Sequence, residues 1–186
     1  MMSLKKLKIK KLHPDATIPT RAHETDAGLD IYASERVMLQ PQQKHLLKTG
    51  IAVDIPPGYV GFLTSRSGVS SKTNIVIETG KIDAGYNGEM KVNIKNDEQA
   101  HERDVEINNS QLDIGFDNLK YNVKGEKIKN NNPFQVESGR VYQINKGDKI
   151  AQLVISPIET PSVEVVEEFE SESARGTNGF GSTDGR

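Results

Sequence analysis

Short stretches of alternating or continuous apolar residues recur along the chain, separated by Gly, Pro, Asn and Asp. Such stretches, bounded by turn residues, are typical of β-strands. Turn signals include Pro56-Pro57-Gly58, Gly85-Tyr86-Asn87-Gly88 and Lys146-Gly147-Asp148. The pattern predicts strands over 5–12, 29–32, 36–40, 44–54, 59–64, 75–78, 90–95, 105–107, 141–144 and 150–158, and one helical turn after Ser67. Many short strands at such spacing favour an all-β sandwich, jelly roll or barrel.

The kind of apolar residue supports the strand prediction. Ile and Val account for 30 residues, whereas there are 11 Leu and nine Ala. β-Branched side chains favour strands, and Leu and Ala favour helices. The length of 186 residues fits one domain with an elaboration. With Gly included and Tyr left out, however, the apolar share is only about 40%, against roughly 45–50% for an ordinary soluble domain, so the core needs a further source of stability.

Charge and cysteine content exclude several classes of function. The formal net charge is −2 and the chain has no Cys, so we expect no direct nucleic-acid binding, no disulfide framework and no thiol nucleophile. The four His residues lack the spacing of a helical zinc site. No apolar run approaches membrane-spanning length, and 1–12 is not a signal peptide. We therefore expect a cytoplasmic protein without membrane contact.

The alternation of Lys with apolar residues over 6–10 is interpreted as an edge strand rather than a basic arm.

Two regions differ from the strand framework. Residues 97–140 are polar and rich in Asn, Glu and Lys, but apolar residues alternate on both sides of Asp117-Asn118, which is a hairpin signature. We interpret this region as an ordered β insertion. Residues 175–186 contain four Gly. By composition they form either a disordered terminus or a Gly-rich phosphate-binding segment.

Three segments place polar or charged residues where a strand framework gives little reason for them. They are DAGLDIYA at 26–33, TSRSGVSSK at 64–72 and GKIDAGYNGE at 80–89. In the second, Arg66 and the N–H groups at a helix start could hold an anion. Each segment also has a structural explanation, with Asp26 and Asp83 as turn residues and Ser67 as a helix cap. Together with the 175–186 tail they supply phosphate-binding cations and donors, carboxylates for Mg²⁺ and a base for water, as phosphoanhydride cleavage requires.

Five segments, in order, resemble the motifs of the trimeric dUTPase family (dUTP nucleotidohydrolases). They are DAGLDIYA at 26–33, RSGVSSK at 66–72, GKIDAGYNGEMKVNIKN at 80–96, GDKIAQLVISPI at 147–158 and RGTNGFGSTDG at 175–185. The long insertion between the third and fourth motifs is similar to that of staphylococcal phage dUTPases. The fifth motif departs from the family pattern at Asn178 and Asp184, which predicts a weaker or differently timed closure of the tail.

The resemblance implies an all-β, distorted jelly-roll (β-clip) fold that assembles as a homotrimer. It divides the chain into a dUTPase-like β core (1–96 and 141–170), an inserted β subdomain (97–140) and a flexible Gly-rich C-terminal lid (171–186). In the family, each site combines the first, second and fourth motifs of one subunit with the third motif of a second subunit and the tail of a third. A trimer would also bury, between subunits, part of the surface that a small core leaves exposed.

The resemblance also assigns roles to residues. Asp83 would activate the attacking water, with Gln152 and Arg66 as further catalytic residues near the phosphates. Asp30 would orient waters on a Mg²⁺ ion held mainly by the triphosphate. The implied phosphate contacts are Ser67, Gly68, Arg175, Gly181, Ser182 and Thr183. The implied contacts to the base and the sugar are Gly80, Ile82, Tyr86, Met90 and Phe180.

The implied activity is the Mg²⁺-dependent hydrolysis of dUTP to dUMP and pyrophosphate, which keeps uracil out of DNA and supplies dUMP for dTMP synthesis. One alternative is a dCTP deaminase of the same fold, which the Asp83–Tyr86 pair disfavours. Another, compatible with catalysis, is a nucleotide-switched regulatory protein that binds a pathogenicity-island repressor through 97–140 and the lid. In a phage-encoded protein the location would be the host cytoplasm. The sequence leaves open whether the insertion binds a partner or only stabilises the fold.

Overall fold

The computed structural model of the protein describes residues 4, 6–99, 120–128 and 139–169. These residues form thirteen strands and one helical turn. The strands are β1 (Lys8–Lys11), β2 (Gly28–Tyr32), β3 (Val37–Leu39), β4 (Lys44–Lys48), β5 (Ile51–Asp54), β6 (Tyr59–Ser65), β7 (Ile75–Ile77), β8 (Gly80–Ile82), β9 (Lys91–Asn96), β10 (Lys120–Asn122), β11 (Lys127–Ile128), β12 (Val141–Ile144) and β13 (Lys149–Pro157), and the helix is α1 (Ser67–Ser70). The predicted all-β class is confirmed. Within the described ranges, no helix is long and apolar enough to cross a membrane.

The described strands form four sheets, with the orders β1-β5, β11-β10-β12-β3, β2-β13-β6-β8 and β4-β9-β7. The strand pairs are antiparallel except for β10 and β12, which are parallel. Most neighbours are distant in sequence: β13, for example, lies between β2 and β6. The architecture therefore depends on long-range pairing, which local sequence patterns do not specify.

The structure divides the predicted strand 44–54 into β4 and β5, which belong to different sheets. The break falls at Gly50, whose φ of 69° is unfavourable for a residue with a side chain. A β-carbon at Gly50 would also lie 2.8 Å from the β-carbon of Ala16. The Gly50 N–H donates to Glu89 Oε1 at 2.9 Å instead of to a strand partner. Because apolar residues continue on both sides of the glycine, the sequence pattern alone predicts one strand.

One apolar core is shared by the four sheets. It includes Ile51 of β5, Leu63 of β6, Ile94 of β9 and Ile144 of β12, each at most 2% exposed. Each fully buried side chain of this size contributes roughly 1.5–3 kcal/mol relative to an exposed one. The β-branched residues that dominate the composition therefore supply the core that holds the sheets together.

Residues 120–128 of the predicted insertion form a hairpin that is continuous with this core. The Asn122 N–H donates to the Glu126 carbonyl at 3.0 Å across the turn between β10 and β11, and β12 pairs with the other edge of β10. Val123 is buried in the core. Within the predicted second arm of a hairpin, 119–123, residues Lys120–Asn122 form strand β10, and Val123 lies in the turn that follows. The partners of β10 are β11 and β12. The predicted first arm, 112–116, and the predicted strand 105–107 lie outside the described residues.

Candidate active site

Three of the five motifs meet around the central strand of one sheet. β13 lies between β2 and β6, and its register places Gln152 opposite Asp30 on one side and Thr64 on the other. Arg66 directly follows β6, and Lys149 begins β13. The first, second and fourth motifs, which are far apart in sequence, therefore reach one place because two antiparallel registers align them.

A buried carboxylate is at the centre of this arrangement. The Asp30 side chain is 3% exposed, and its Oδ1 accepts hydrogen bonds from Arg66 Nε at 2.8 Å and from Gln152 Nε2 at 3.3 Å. Its Oδ2 pairs with Lys149 Nζ at 2.8 Å. A carboxylate removed from water needs such partners to remain ionised. These four residues are called the Asp30 cluster below.

The two cations determine the ionisation of Asp30. Burial alone raises the pKa of its carboxyl, but the hydrogen bond from Lys149, the charge of Arg66 and the hydrogen bond from Gln152 outweigh burial and hold the pKa below the ordinary 3.8. The hydrogen bond to Asp30 in turn raises the pKa of the Lys149 amine. Because the folded-state pKa of Asp30 is lowered, the stabilisation that its ionised form provides is present above the unfolded-state pKa of this carboxyl. It is lost as the pH falls through the folded-state pKa. At neutral pH two positive charges face one negative charge, so the cluster suits a polyphosphate.

Local sequence features hold the cluster in place. A β-carbon at Gly28 would lie 3.0 Å from the β-carbon of Gln152, so glycine at this position leaves room for the Gln152 side chain. The Lys149 amine lies 5.7 Å from the centre of the Tyr32 ring, and the Tyr32 hydroxyl is 2.6 Å from Thr20 Oγ1. Lys149 therefore lies between a carboxylate and an aromatic face that is itself anchored.

The second motif forms the predicted helical turn. Arg66 occupies the N-cap position of α1 and makes no side-chain capping hydrogen bond. Ser67 is thus the first helical residue and not the cap, which excludes the structural role considered for it above. Val69 is buried and anchors the turn, while Ser67 and Gly68 are exposed. Because the first N–H groups of a helix lack intrahelical acceptors, both residues can donate to an anion beside Arg66.

The third motif leads from β8 into a tight turn. Gly80 and Ile82 lie on β8, which pairs with β6. The Tyr86 N–H then donates to the Asp83 carbonyl at 3.2 Å, so the backbone of Asp83 has the turn role that the sequence suggests. The Asp83 side chain is on the exposed surface. Tyr86 is 48% exposed, and its hydroxyl donates to the Glu89 carbonyl at 3.1 Å. A carboxylate and an aromatic face are therefore both accessible to a ligand.

The described part of one chain does not bring Asp83 to the Asp30 cluster. β8 is antiparallel to β6, with Ile82 opposite Gly61. Extending this register by one residue places Asp83 level with Val60, six residues from Arg66. At about 3.3 Å per residue, this separation is roughly 20 Å. Asp83 and the Asp30 cluster therefore lie towards opposite ends of β6.

Other predicted site residues lie in the core or outside the described ranges. Met90 is 1% exposed, its N–H donates to the Ile51 carbonyl at 2.9 Å, and its carbonyl accepts from Thr49 Oγ1. Its side chain is thus part of the core, and its contact with substrate stays a prediction. The lid and its residues Arg175, Asn178, Phe180, Gly181, Ser182, Thr183 and Asp184 lie outside the described residues.

Lys149 belongs to the cluster, although the sequence analysis does not single it out. Lys149 and Gln152 are three residues apart, and in a regular strand such residues point to opposite faces. The register shifts between Lys149 and Ala151, as at a β-bulge. This irregularity lets both side chains reach Asp30. The position of Lys149 in the segment GDKIAQ, close to Gln152, is the one sequence signal that could indicate that Lys149 belongs to the site.

Replacing Lys149 with Met is expected to reduce kcat/KM for dUTP, the substrate that the motif resemblance implies, by about tenfold. Arg66 is then the only cation paired with Asp30, and the carboxylate competes with phosphate for it. The expected loss of stability is roughly 1–2 kcal/mol, below the roughly 3–5 kcal/mol of a fully buried pair, because Lys149 is partly exposed and Arg66 remains. Steady-state kinetics and thermal unfolding measure both effects. Lys146→Met, which breaks a surface pair with Asp15, is the control. Equal kinetics in the two variants would contradict the role of Lys149.

The comparisons with known proteins agree on one family. The dUTPase family profile matches residues 14–111 and 134–184, which is most of the chain. A deoxyuridine 5'-triphosphate nucleotidohydrolase of Clostridioides difficile is 35% identical over 179 residues, covering 95% of this chain and 96% of that protein. The Staphylococcus bacteriophage 80alpha dUTPase with dUPNHPP has a TM-score of 0.80 and 50% identity, covering 97% of this chain and 99% of that chain. A point mutant of the dUTPase from phage phi11 of S. aureus, described with a coordinated structural Mg(II) ion, has a TM-score of 0.75 and 48% identity, covering 90% of this chain and 100% of that chain.

The fold and the cation-rich cluster define a class of protein, a jelly-roll nucleotide hydrolase. The predicted jelly-roll fold is confirmed by the phage dUTPase structures. The chain belongs to the dUTPase family, and its activity is that of a dUTP diphosphatase.

Proposed function

We propose that the protein hydrolyses dUTP to dUMP and pyrophosphate by attack of water on the α-phosphorus, with Asp83 as the base and Mg²⁺ carried by the triphosphate. The observation that carries this proposal is the Asp30 cluster, in which three family motifs of one chain form a cation-rich site. The reaction would keep uracil out of DNA and supply dUMP for dTMP synthesis.

The geometry of the Asp30 cluster supports a phosphate-binding role for Arg66. Its Nε donates to Asp30, and its Nη1 donates to the Lys149 carbonyl at 3.4 Å. A guanidinium has five N–H donors, so the remaining donors are available to phosphate oxygens while the group is held in one orientation. Ser67 and Gly68 add N–H donors beside it. Because the donors are oriented before the substrate arrives, they cost little reorganisation during the reaction.

The third motif would supply the base and the sugar contact. The exposed carboxylate of Asp83 can accept a proton from a water molecule, and Tyr86 presents an aromatic face that can pack on deoxyribose. Close packing there would leave no room for a 2′-hydroxyl. An enzyme that rejects UTP needs such a steric element, because a pocket without one discriminates weakly against an added hydroxyl.

The residues present fit a Mg²⁺ ion that is bound by the substrate rather than by a protein ligand set. The described part of the chain contains no group of three or more His, Cys, Asp or Glu side chains that could hold a metal ion. Both oxygens of Asp30 already accept from cations, so this carboxylate would act on the ion through metal-bound waters rather than as a direct ligand. When bound, Mg²⁺ would neutralise phosphate charge that develops in the transition state.

We further propose that the active unit is a homotrimer. The distance of roughly 20 Å between Asp83 and Arg66 supports a site that takes its third motif from another subunit. Apolar side chains after β13 are almost fully exposed in one chain: Val163 at 92%, Val165 at 93% and Phe169 at 89%. Contacts between subunits would cover such residues and would add apolar burial to the small core.

Pyrophosphate release from dUTP, UTP, dTTP and dCTP tests the proposed reaction directly. We expect rapid release from dUTP with added Mg²⁺, little release with EDTA, and release at least about 10²-fold slower from UTP and dTTP. Ammonia release from dCTP would instead indicate deaminase chemistry. Comparable rates with dUTP and UTP would contradict the proposed role of Tyr86.

A second function is supported by the phage relatives and the insertion. The 80alpha dUTPase is described as controlling the transfer of virulence genes by a proto-oncogenic G protein-like mechanism. In this chain, the family profile leaves residues 112–133 unmatched, within the predicted insertion. We propose that 97–140, together with the lid, binds a pathogenicity-island repressor in a nucleotide-dependent manner, in addition to catalysis.

Replacing residues 101–118 with a short Gly-Ser linker is expected to leave pyrophosphate release within about twofold of wild type, because this change retains β10 and β11 and the core they join. Release of a pathogenicity-island repressor from its operator, measured by mobility shift, should be lost. The larger deletion 105–135 removes Val123 from the core and is expected to destabilise the protein by about 2–4 kcal/mol or more. Full repressor release by the linker variant would contradict a partner role for 101–118.

A further inference from the structure

The hairpin of the insertion packs against the end of the second motif. Gly125, in the turn of this hairpin, has a φ of 75°. A β-carbon at this position would overlap the carbonyl oxygen of Lys72 and would lie 3.2 Å from its carbonyl carbon and its β-carbon. Lys72 is the last residue of the second motif and lies two residues after α1. The turn of the insertion therefore contacts the backbone that leaves the proposed phosphate-binding turn.

A second contact reaches the same segment through an aromatic pair. Tyr121 of β10 packs against Tyr142 of β12, with ring centres 6.1 Å apart. Tyr142 is 1% exposed, and its hydroxyl accepts the N–H of Asn74 at 3.0 Å. The Asn74 carbonyl accepts the N–H of Asp97 at 2.8 Å. Residues 72–74 are therefore held on one side by the hairpin and on the other by β12 and the end of β9.

The held segment is directly hydrogen-bonded to α1. The N–H groups of Lys72 and Thr73 donate to the Val69 carbonyl at 3.2 and 3.0 Å, and Thr73 Oγ1 donates to the same oxygen at 2.8 Å. Val69 is itself buried in the core. A displacement of Lys72 would therefore change the position of α1, which carries Ser67 and Gly68.

We propose that the 120–128 hairpin is a positioning element for the phosphate-binding turn. It acts through the packing of Gly125 on Lys72 and through the chain of contacts from Tyr121 to Asn74. The inference rests on the proposed function, since it assigns nucleotide binding to residues 66–68. Coupling between two sites is reciprocal. A nucleotide bound at the turn therefore stabilises the hairpin against opening, and a partner bound to the insertion changes the affinity for the nucleotide.

Hydrogen exchange on the unmodified protein tests the coupling without the risk of misfolding. The probe is the α,β-imido analogue of dUTP with MgCl₂. We expect slower exchange both in 66–72 and in the amides of Asn122, Lys124, Gly125 and Glu126, which are hydrogen-bonded within the hairpin turn, and no change in β1 (Lys8–Lys11). Protection of 66–72 with unchanged exchange in 122–126 would overturn the positioning role. Absence of analogue binding would overturn the proposed function and the coupling with it.

A matched pair of glycine substitutions tests the contact itself. Gly58 has a similar φ of 80° but nothing within 4 Å of a β-carbon, so Gly58→Ala introduces the backbone strain without the collision. Gly125→Ala introduces both, and Gly125→Asn keeps the collision with a residue that tolerates positive φ better. We expect both Gly125 variants to lose roughly 10–100-fold in kcat/KM, mainly through KM, because the turn is displaced. Gly58→Ala should remain near wild type, and equal kinetics for Gly125→Ala and Gly58→Ala would overturn the proposal.

Discussion

Replacing Asp83 with Asn is expected to lower the turnover of dUTP by about 10²–10⁴-fold or more, which is the contribution of general-base catalysis. Asn has nearly the same shape but cannot take a proton from water. The affinity for the α,β-imido analogue should change little, because the Asp30 cluster and the second motif provide the proposed phosphate contacts. Single-turnover pyrophosphate release and calorimetric titration separate the two effects. Near-normal turnover would remove Asp83 from the role of base.

The same variant tests whether the site is shared between subunits. Asp83→Asn and Arg66→Ala chains are each expected to be inactive as pure trimers. After they are unfolded and refolded together, about one quarter of the sites should combine an intact second motif from one chain with an intact third motif from another, if assembly is random and a neighbouring subunit supplies the third motif. Recovery of about that fraction of wild-type activity is the expected result. A mixture as inactive as its components would indicate a site formed within one chain.

Removing residues 175–186 is expected to reduce kcat/KM for dUTP by about 10²–10³-fold, because the truncated protein lacks Arg175 as a phosphate partner and cannot exclude water from the site. The removed segment follows the last core strand, β13, so the thermal unfolding temperature should stay unchanged. Steady-state kinetics and calorimetry provide the two readouts.

Removal of residues 185–186 alone is the control for this truncation, because it retains every residue assigned to the lid contacts. It should be nearly as active as the full chain. If the truncation at 175 is equally active, the proposed role of the tail is wrong.

Strand positions could be predicted from the sequence because they depend on local chemistry. Side chains of a strand alternate between two faces, and Gly, Pro and Asn interrupt that alternation wherever the chain turns. The helical turn predicted after Ser67 is present and begins at Ser67 itself. The predicted boundaries fail where a distant residue decides them. The break falls at Gly50, where a β-carbon would collide with Ala16, and the strand Lys120–Asn122 of the predicted insertion pairs with β11 and β12.

In the candidate site too, some residues can be predicted from local sequence, whereas others are brought together only by the fold. Asp30, Arg66 and Gln152 could be named from sequence motifs, since carboxylates, guanidinium groups and amides are the groups that polyphosphate chemistry requires. Lys149 could not be placed with them, because a regular strand would turn it away from Gln152 and only the irregularity in β13 brings it to Asp30. The packing of Gly125 against Lys72 has no local sequence signal, since the two residues are far apart in the chain.

By itself, the sequence determined the all-β class, the order of the motifs and the kinds of chemical groups available, because these depend on residue type and short-range spacing. The tertiary structure decided which of these groups meet. It paired Asp30 with two cations, kept Asp83 roughly 20 Å away along β6, and joined the 120–128 hairpin to the second motif. Each of these outcomes depends on a strand register or a close backbone contact between distant residues, and such contacts exist only once the whole chain has folded.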